Sequence, residues 1–266
     1  MSRWIGYGLV MSVAAGFTVW LAHRAVYFPM RYPAGEWQDA QWLGVSDVWL
    51  RSADGTGIHA WYKPVENARI VTLFLHGNAG NVSHRSMHFT AIARAGSGIL
   101  VPDYRGYGRS EGKPSEQGLY ADATSAYEWL VAQGWKPEQI VVHGESLGSA
   151  VAVDLATRKP CGGLVLEAPF TSVSDVAGRV LPVVGEYIVG GFDSKSKIGR
   201  LKAPLLIIHG TGDEVIPYDL GRALYDAAPS PKDFFTIDGA GHNNIVPAGG
   251  EEYLRRLRAM YAAIHG

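Results

Sequence analysis

Cysteine is almost absent. Cys161 stands alone among 266 residues, so no intramolecular disulfide can brace the fold, and the thiol is expected to pack as a small apolar group. Charge is also scarce in blocks: 24 Lys and Arg against 25 Asp and Glu leave a net charge of −1. With no basic run and no aromatic-basic interleaving, nucleic acid is excluded as the main partner. The chain has no internal repeat and no low-complexity tract. Metal spacing is missing too. His84 and His88 are four apart, but no third ligand is evident and no Glu lies between them as a zinc protease would require. The glycine-rich Asp103-Tyr104-Arg105-Gly106-Tyr107-Gly108 lacks the order of a phosphate loop. No metal or cofactor is therefore expected.

What the sequence does contain begins with an apolar stretch. Residues 4–22 hold no charged side chain, with Arg3 before them and His23-Arg24 after. As a helix they would be about 28 Å long, close to the hydrocarbon thickness of a bilayer. We read residues 1–27 as a retained single-pass transmembrane anchor, which makes the expected localisation the membrane. A cleaved signal peptide is the competing reading, disfavoured by the length of the apolar part and the lack of a small-x-small site near residues 22–25. Arg3 opposes Arg24 and Arg31, so the side of the membrane is unassigned. Residues 28–44 read as a linker that hugs the domain, and 45–266 as one catalytic-sized domain.

Within that domain apolar runs alternate with helical spacing. Residues 45–51 and 58–63 frame an Asp54-Gly55 turn and predict a hairpin. Residues 70–75 form a continuous apolar run, as for a strand buried on both faces. Helical patterns follow over 84–95, from an N-cap at Ser115 to 132, over 149–158, 218–228 and 251–264. Strand-like runs lie between them at 98–101, 139–143, 164–166, 205–208 and 234–237. Strands alternating with helices imply an α/β domain with a mostly parallel central sheet and helices on both faces. Residues 171–200 interrupt the alternation and read as a short helical cap, since long connections in compact domains are usually functional.

The chemistry centres on Gly144-Glu145-Ser146-Leu147-Gly148. It follows an apolar strand and precedes a small-residue helix, the context in which G-x-S-x-G is a nucleophile elbow. A serine hydroxyl needs a base near neutral pH. His242, in Gly239-Ala240-Gly241-His242-Asn243, follows the last predicted strand and emerges at the same sheet edge. Asp213, in His209-Gly210-Thr211-Gly212-Asp213-Glu214, follows the preceding strand and is assigned as the acid that orients the base. Glu167, Glu214 and Asp238 compete with it. For the oxyanion, the donors expected are Leu147, directly after the nucleophile, and Asn78, in the loop His76-Gly77-Asn78-Ala79-Gly80-Asn81. His76, His143 and His209 each end an apolar strand before Gly and read as structural, satisfying turn backbone.

Taken together, His76-Gly77-Asn78-Ala79-Gly80, Asp103 to Gly108, Gly144 to Gly148, Glu167-Ala168-Pro169-Phe170-Thr171, His209 to Glu214 and Gly241-His242-Asn243 resemble the α/β-hydrolase-domain-containing serine hydrolases. The resemblance covers most of residues 70–244. It is closest to the branch with one N-terminal membrane span, related to the protein depalmitoylases. It implies the α/β-hydrolase fold, with Ser146, Asp213 and His242 as the triad and Asn78 with Leu147 as the oxyanion hole. The depalmitoylases carry a cysteine-rich acylated amino terminus that this chain lacks, so depalmitoylation is not carried over. The function expected is hydrolysis of an ester or thioester of an apolar acyl group. The partners expected are a small-molecule or acylated substrate, and a membrane through the span. An aminopeptidase-like amidase and a non-catalytic binding module on the same fold stay open.

Overall fold

Runs such as Ile70–Leu75 and Leu205–Gly210, buried at every position, can only be strands covered on both faces. The computed structural model describes residues 26–180 and 190–265. In chain order the strands are β1 (Phe28–Pro29), β2 (Ser46–Arg51), β3 (Gly57–Lys63), β4 (Ile70–Leu75), β5 (Ala79–Gly80), β6 (Ser97–Pro102), β7 (Ile140–Glu145), β8 (Gly163–Glu167), β9 (Leu205–Gly210) and β10 (Lys232–Ile237). The helices are α1 (Asp39–Leu43), α2 (Ser86–Arg94), α3 (Glu116–Ala132), α4 (Leu147–Arg158), α5 (Val173–Val180), α6 (Lys195–Ile198), α7 (Tyr218–Ala227) and α8 (Ile245–His265).

Among the described residues the central sheet has the strand order β10-β9-β8-β7-β4-β6-β3-β2. Pairing is parallel from β10 to β6, while β3 is antiparallel to both β6 and β2. Alternation along each strand divides the core. Leu73, Leu75 and Val142 pack with Leu119, Leu130, Val151 and Leu155 of α3 and α4. Phe74, Val141 and Val165 pack on the other side with Phe89, Ile92, Tyr253 and Leu257 of α2 and α8. This is the α/β-hydrolase architecture expected: a mostly parallel sheet with helices on both faces. Because its strands run one way, the loops after β4, β7, β9 and β10 open at one edge.

The expected membrane localisation is corrected: no helix among the described residues is long and apolar enough to cross a membrane. Even α8, which breaks at Gly250, carries Glu251, Glu252, Arg255, Arg256 and Arg258. Residues 4–22, on which the anchor over 1–27 rested, lie outside the described residues, and the assignment is withdrawn. Residues 171–200, expected as a cap, contain α5 and α6, and residues 181–189 lie outside the described residues. The linker 28–44 contains β1 and α1. β1 pairs in parallel with β5, Phe28 facing Ala79 and Pro29 facing Gly80.

Candidate active site

Ser146 lies between the end of β7 and the start of α4, at φ 52° and ψ −119°. That left-handed backbone costs a serine of order 1–3 kcal/mol and persists only where the surroundings over-determine it. Here the Ser146 N–H donates to the Glu167 carbonyl (2.9 Å), and the Ser146 carbonyl accepts from the Ser149 N–H (2.8 Å). Strand and helix also approach too closely for side chains. A Cβ on Gly144 would lie 2.3 Å from the Gly148 carbonyl oxygen, and one on Gly148 would lie 1.9 Å from that of Leu75. The glycines of the motif are a steric requirement of the turn.

His242 arrives from the loop between β10 and α8. The Ser146 hydroxyl lies 3.0 Å from its Nε2, and its Nδ1 lies 2.8 Å from Asp213 Oδ2. A carboxylate only accepts, so Nδ1 carries the proton and Nε2 turns its lone pair to the hydroxyl. Asp213 follows β9, and its Oδ1 accepts the main-chain N–H groups of Val215 (2.9 Å) and Ile216 (2.8 Å). Burial would raise the Asp213 pKa, but contact with His209 and His242 holds it well below the ordinary carboxylate range. The Asp213 carboxyl is therefore an anion at neutral pH.

Glu167 and Glu214 make other contacts than the His242 ring. Glu167 accepts from His143 Nε2 (2.7 Å), Tyr253 Oη (2.6 Å) and His88 Nε2 (3.1 Å). Glu214 accepts the His242 main-chain N–H (3.3 Å). His76 and His209 do reach turn carbonyls, Gly77 O at 2.8 Å and Ile216 O at 3.1 Å. His143 does not, because it serves Glu167 instead.

The loop after β4 lies against the elbow. A Cβ on Gly77 would be 3.4 Å from Ser146 Cβ. Gly77 N–H donates to Glu145 Oε2 (3.0 Å), and Glu145 is paired with Arg85 at 3.1 Å. Sequence reasoning missed Glu145 and Arg85 here, and no local pattern joins residues so far apart. Among the described residues, the main-chain N–H groups of Asn78 and Leu147 make no hydrogen bond. The Asn78 side-chain oxygen is occupied, accepting from Phe28 N–H (3.0 Å) and Tyr107 Oη–H (2.9 Å). No cluster of His, Cys, Asp or Glu able to hold a metal ion occurs among the described residues.

A serine on a strand-to-helix elbow, with an acid and then a histidine following in chain order at the same sheet edge, defines the class of α/β-hydrolases. Comparison with known proteins narrows this. Residues 66–191 match the family described as serine aminopeptidase, S33. The chain is 36% identical over 258 residues to the uncharacterized protein Rv2307c of Mycobacterium tuberculosis, covering 94% of this chain and 92% of that one. It is 38% identical over 197 residues to α/β-hydrolase domain-containing protein 17B of Homo sapiens, covering 72% of this chain and 66% of that one. The esterase Pf2001 of Pyrococcus furiosus shares the fold, with a TM-score of 0.75 over 90% of this chain and 100% of the esterase at 20% identity. The chain belongs to the α/β-hydrolase domain-containing proteins and is a hydrolase.

Proposed function

We propose that the protein is a serine hydrolase that cleaves an ester or thioester of an apolar acyl group through a covalent acyl-enzyme. The observation that carries this reading is His242 standing between its two partners, 3.0 Å from Ser146 Oγ and 2.8 Å from Asp213 Oδ2. His242 Nε2 takes the hydroxyl proton as Ser146 Oγ attacks the substrate carbonyl, and Asp213 stabilises the imidazolium. The oxyanion is received by the main-chain N–H groups of Asn78 and Leu147, donors of a kind worth about 2.7–4 kcal/mol when one is removed. Imidazolium then protonates the departing alkoxide or thiolate. Water, deprotonated by the same nitrogen, releases the acid and restores Ser146.

Support for an ester comes from the fold shared with the esterase Pf2001 of Pyrococcus furiosus. A second reading, hydrolysis of an aminoacyl amide, is favoured by the description of the matched family as serine aminopeptidase. A panel of p-nitrophenyl esters of graded chain length, run beside aminoacyl anilides, separates the two. Faster turnover of the longer acyl esters is expected. Preferential turnover of the anilides overturns the ester assignment, and no turnover of either class by folded protein overturns the enzymatic reading.

A further inference from the structure

The loop that carries Asn78 is gripped from outside the central sheet. β1 lies beside β5 as a separate two-stranded parallel ribbon. The strap continues past it: Met30 N–H donates to the Gly80 carbonyl (3.2 Å), Gly108 N–H to the Met30 carbonyl (2.9 Å) and Tyr32 N–H to the Gly108 carbonyl (2.9 Å). Asn81 Nδ2 closes the seam on the Met30 carbonyl at 3.1 Å. The strap is thus laced between residues 76–81 on one side and the turn around Gly108 on the other. Its first donor, Phe28 N–H, goes to the Asn78 side-chain oxygen (3.0 Å), and the second lone pair of that oxygen takes Tyr107 Oη–H (2.9 Å). Tyr107 is fully buried, its ring edge-on to His76 at 5.5 Å. A neighbouring ring, Tyr104, donates its hydroxyl to the His76 carbonyl at 3.1 Å.

We propose that Phe28 and Tyr107 are positioning residues for the oxyanion hole. By saturating the Asn78 side-chain oxygen, their donors fix the rotamer and the adjoining peptide plane, and so aim the free Asn78 N–H at the carbonyl that Ser146 attacks. The inference rests on the serine-hydrolase reading. Its physical basis is that a donor misplaced by about 1 Å can cost roughly 100-fold in rate, while the Phe28 N–H and the Tyr107 hydroxyl are both spent on the Asn78 side-chain oxygen.

The test uses the full chain with Tyr107→Phe, which keeps the ring and deletes the donor, and Phe28→Pro, which deletes the main-chain donor at an already extended position. With a p-nitrophenyl ester, each is expected to lower kcat about 10- to 100-fold while KM changes less than roughly twofold, as for an interaction made only in the transition state. Since both donors act through one oxygen, the double variant should lose less than the product of the single losses. Affinity for an aryl trifluoromethyl ketone, whose adduct carries the oxyanion, should fall in parallel with kcat/KM. Unchanged kcat in Tyr107→Phe, or a fall in kcat with undiminished ketone affinity, overturns the clamp while leaving the serine-hydrolase reading intact. Absence of turnover and of ketone binding in the parent protein overturns that reading, and the clamp with it.

Discussion

At the scale of single residues, Asp213 and Glu167 are both buried carboxylates beside histidines, yet they do different things. Asp213 holds the ring that faces Ser146, whereas Glu167 binds His143, His88 and Tyr253 and meets the elbow only through its main-chain carbonyl. Asp213→Asn places a donor against His242 Nδ1 and favours the wrong tautomer, so kcat is expected to drop by about 10⁴ with the fold intact. A loss of less than tenfold would remove Asp213 from the mechanism. Glu167→Gln leaves buried imidazoles without their anion and is expected to cost about 3–5 kcal/mol in a urea titration, while kcat per folded molecule stays near that of the parent. Loss of kcat without loss of stability would reverse the two assignments. That Ser146, His242 and Asp213 meet was legible because each sits in a short motif after an apolar strand. The Glu167 cluster was not: its partners lie 24, 79 and 86 residues away in sequence, beyond any local pattern.

Elements were read most easily where burial alone decides them. The continuous run of β4, the hairpin of β2 and β3, and the Ser115 cap of α3 all follow from sequence, with the Ser115 side chain accepting the Gly118 N–H at 3.1 Å. The helix expected over 251–264 is present, because α8 breaks at Gly250 (φ 49°, ψ −132°); less visible was the helical turn from Ile245 that precedes the break. Ile245 is 4% exposed, so core packing holds that turn. β1 also escaped notice, because a two-residue strand exists only through its partner 51 residues on. The elbow itself makes a steric prediction. Gly148→Ala drives a methyl into the Leu75 carbonyl, at 1.9 Å before relaxation, and should cost about 3 kcal/mol with loss of Ser146 reactivity. Gly199→Ala, with nothing within 4 Å of the new Cβ, is the matched control and should leave the melting temperature unchanged. Equal melting temperatures for both variants would show that the elbow tolerates a side chain.

For the whole molecule, the buried ionic groups set the response to pH. Burial would raise the pKa values of Asp103, Glu145, Glu167 and Asp213, yet each is held below the ordinary carboxylate range by cations and donors such as Arg85, His143 and His242. Their folded values lie below the unfolded ones, about 4. The stability they contribute is therefore complete above that range and lost as pH falls through it. His88 runs the other way: burial lowers its pKa but Glu167 raises it further, so its contribution is lost as pH rises above about 6.5. The melting temperature should peak between about pH 5 and 6.5 and fall steeply below. A melting temperature that holds to pH 3 would show that the carboxylates are not paired as described. The proposed nucleophile is one oxygen atom, Ser146 Oγ, and intact-mass analysis after treatment with a fluorophosphonate reads its reactivity. A single adduct is predicted, mapping to the peptide that contains Ser146, absent from Ser146→Ala and formed far more slowly in His242→Ala. No adduct on folded protein, or an adduct that persists in Ser146→Ala, would contradict the account.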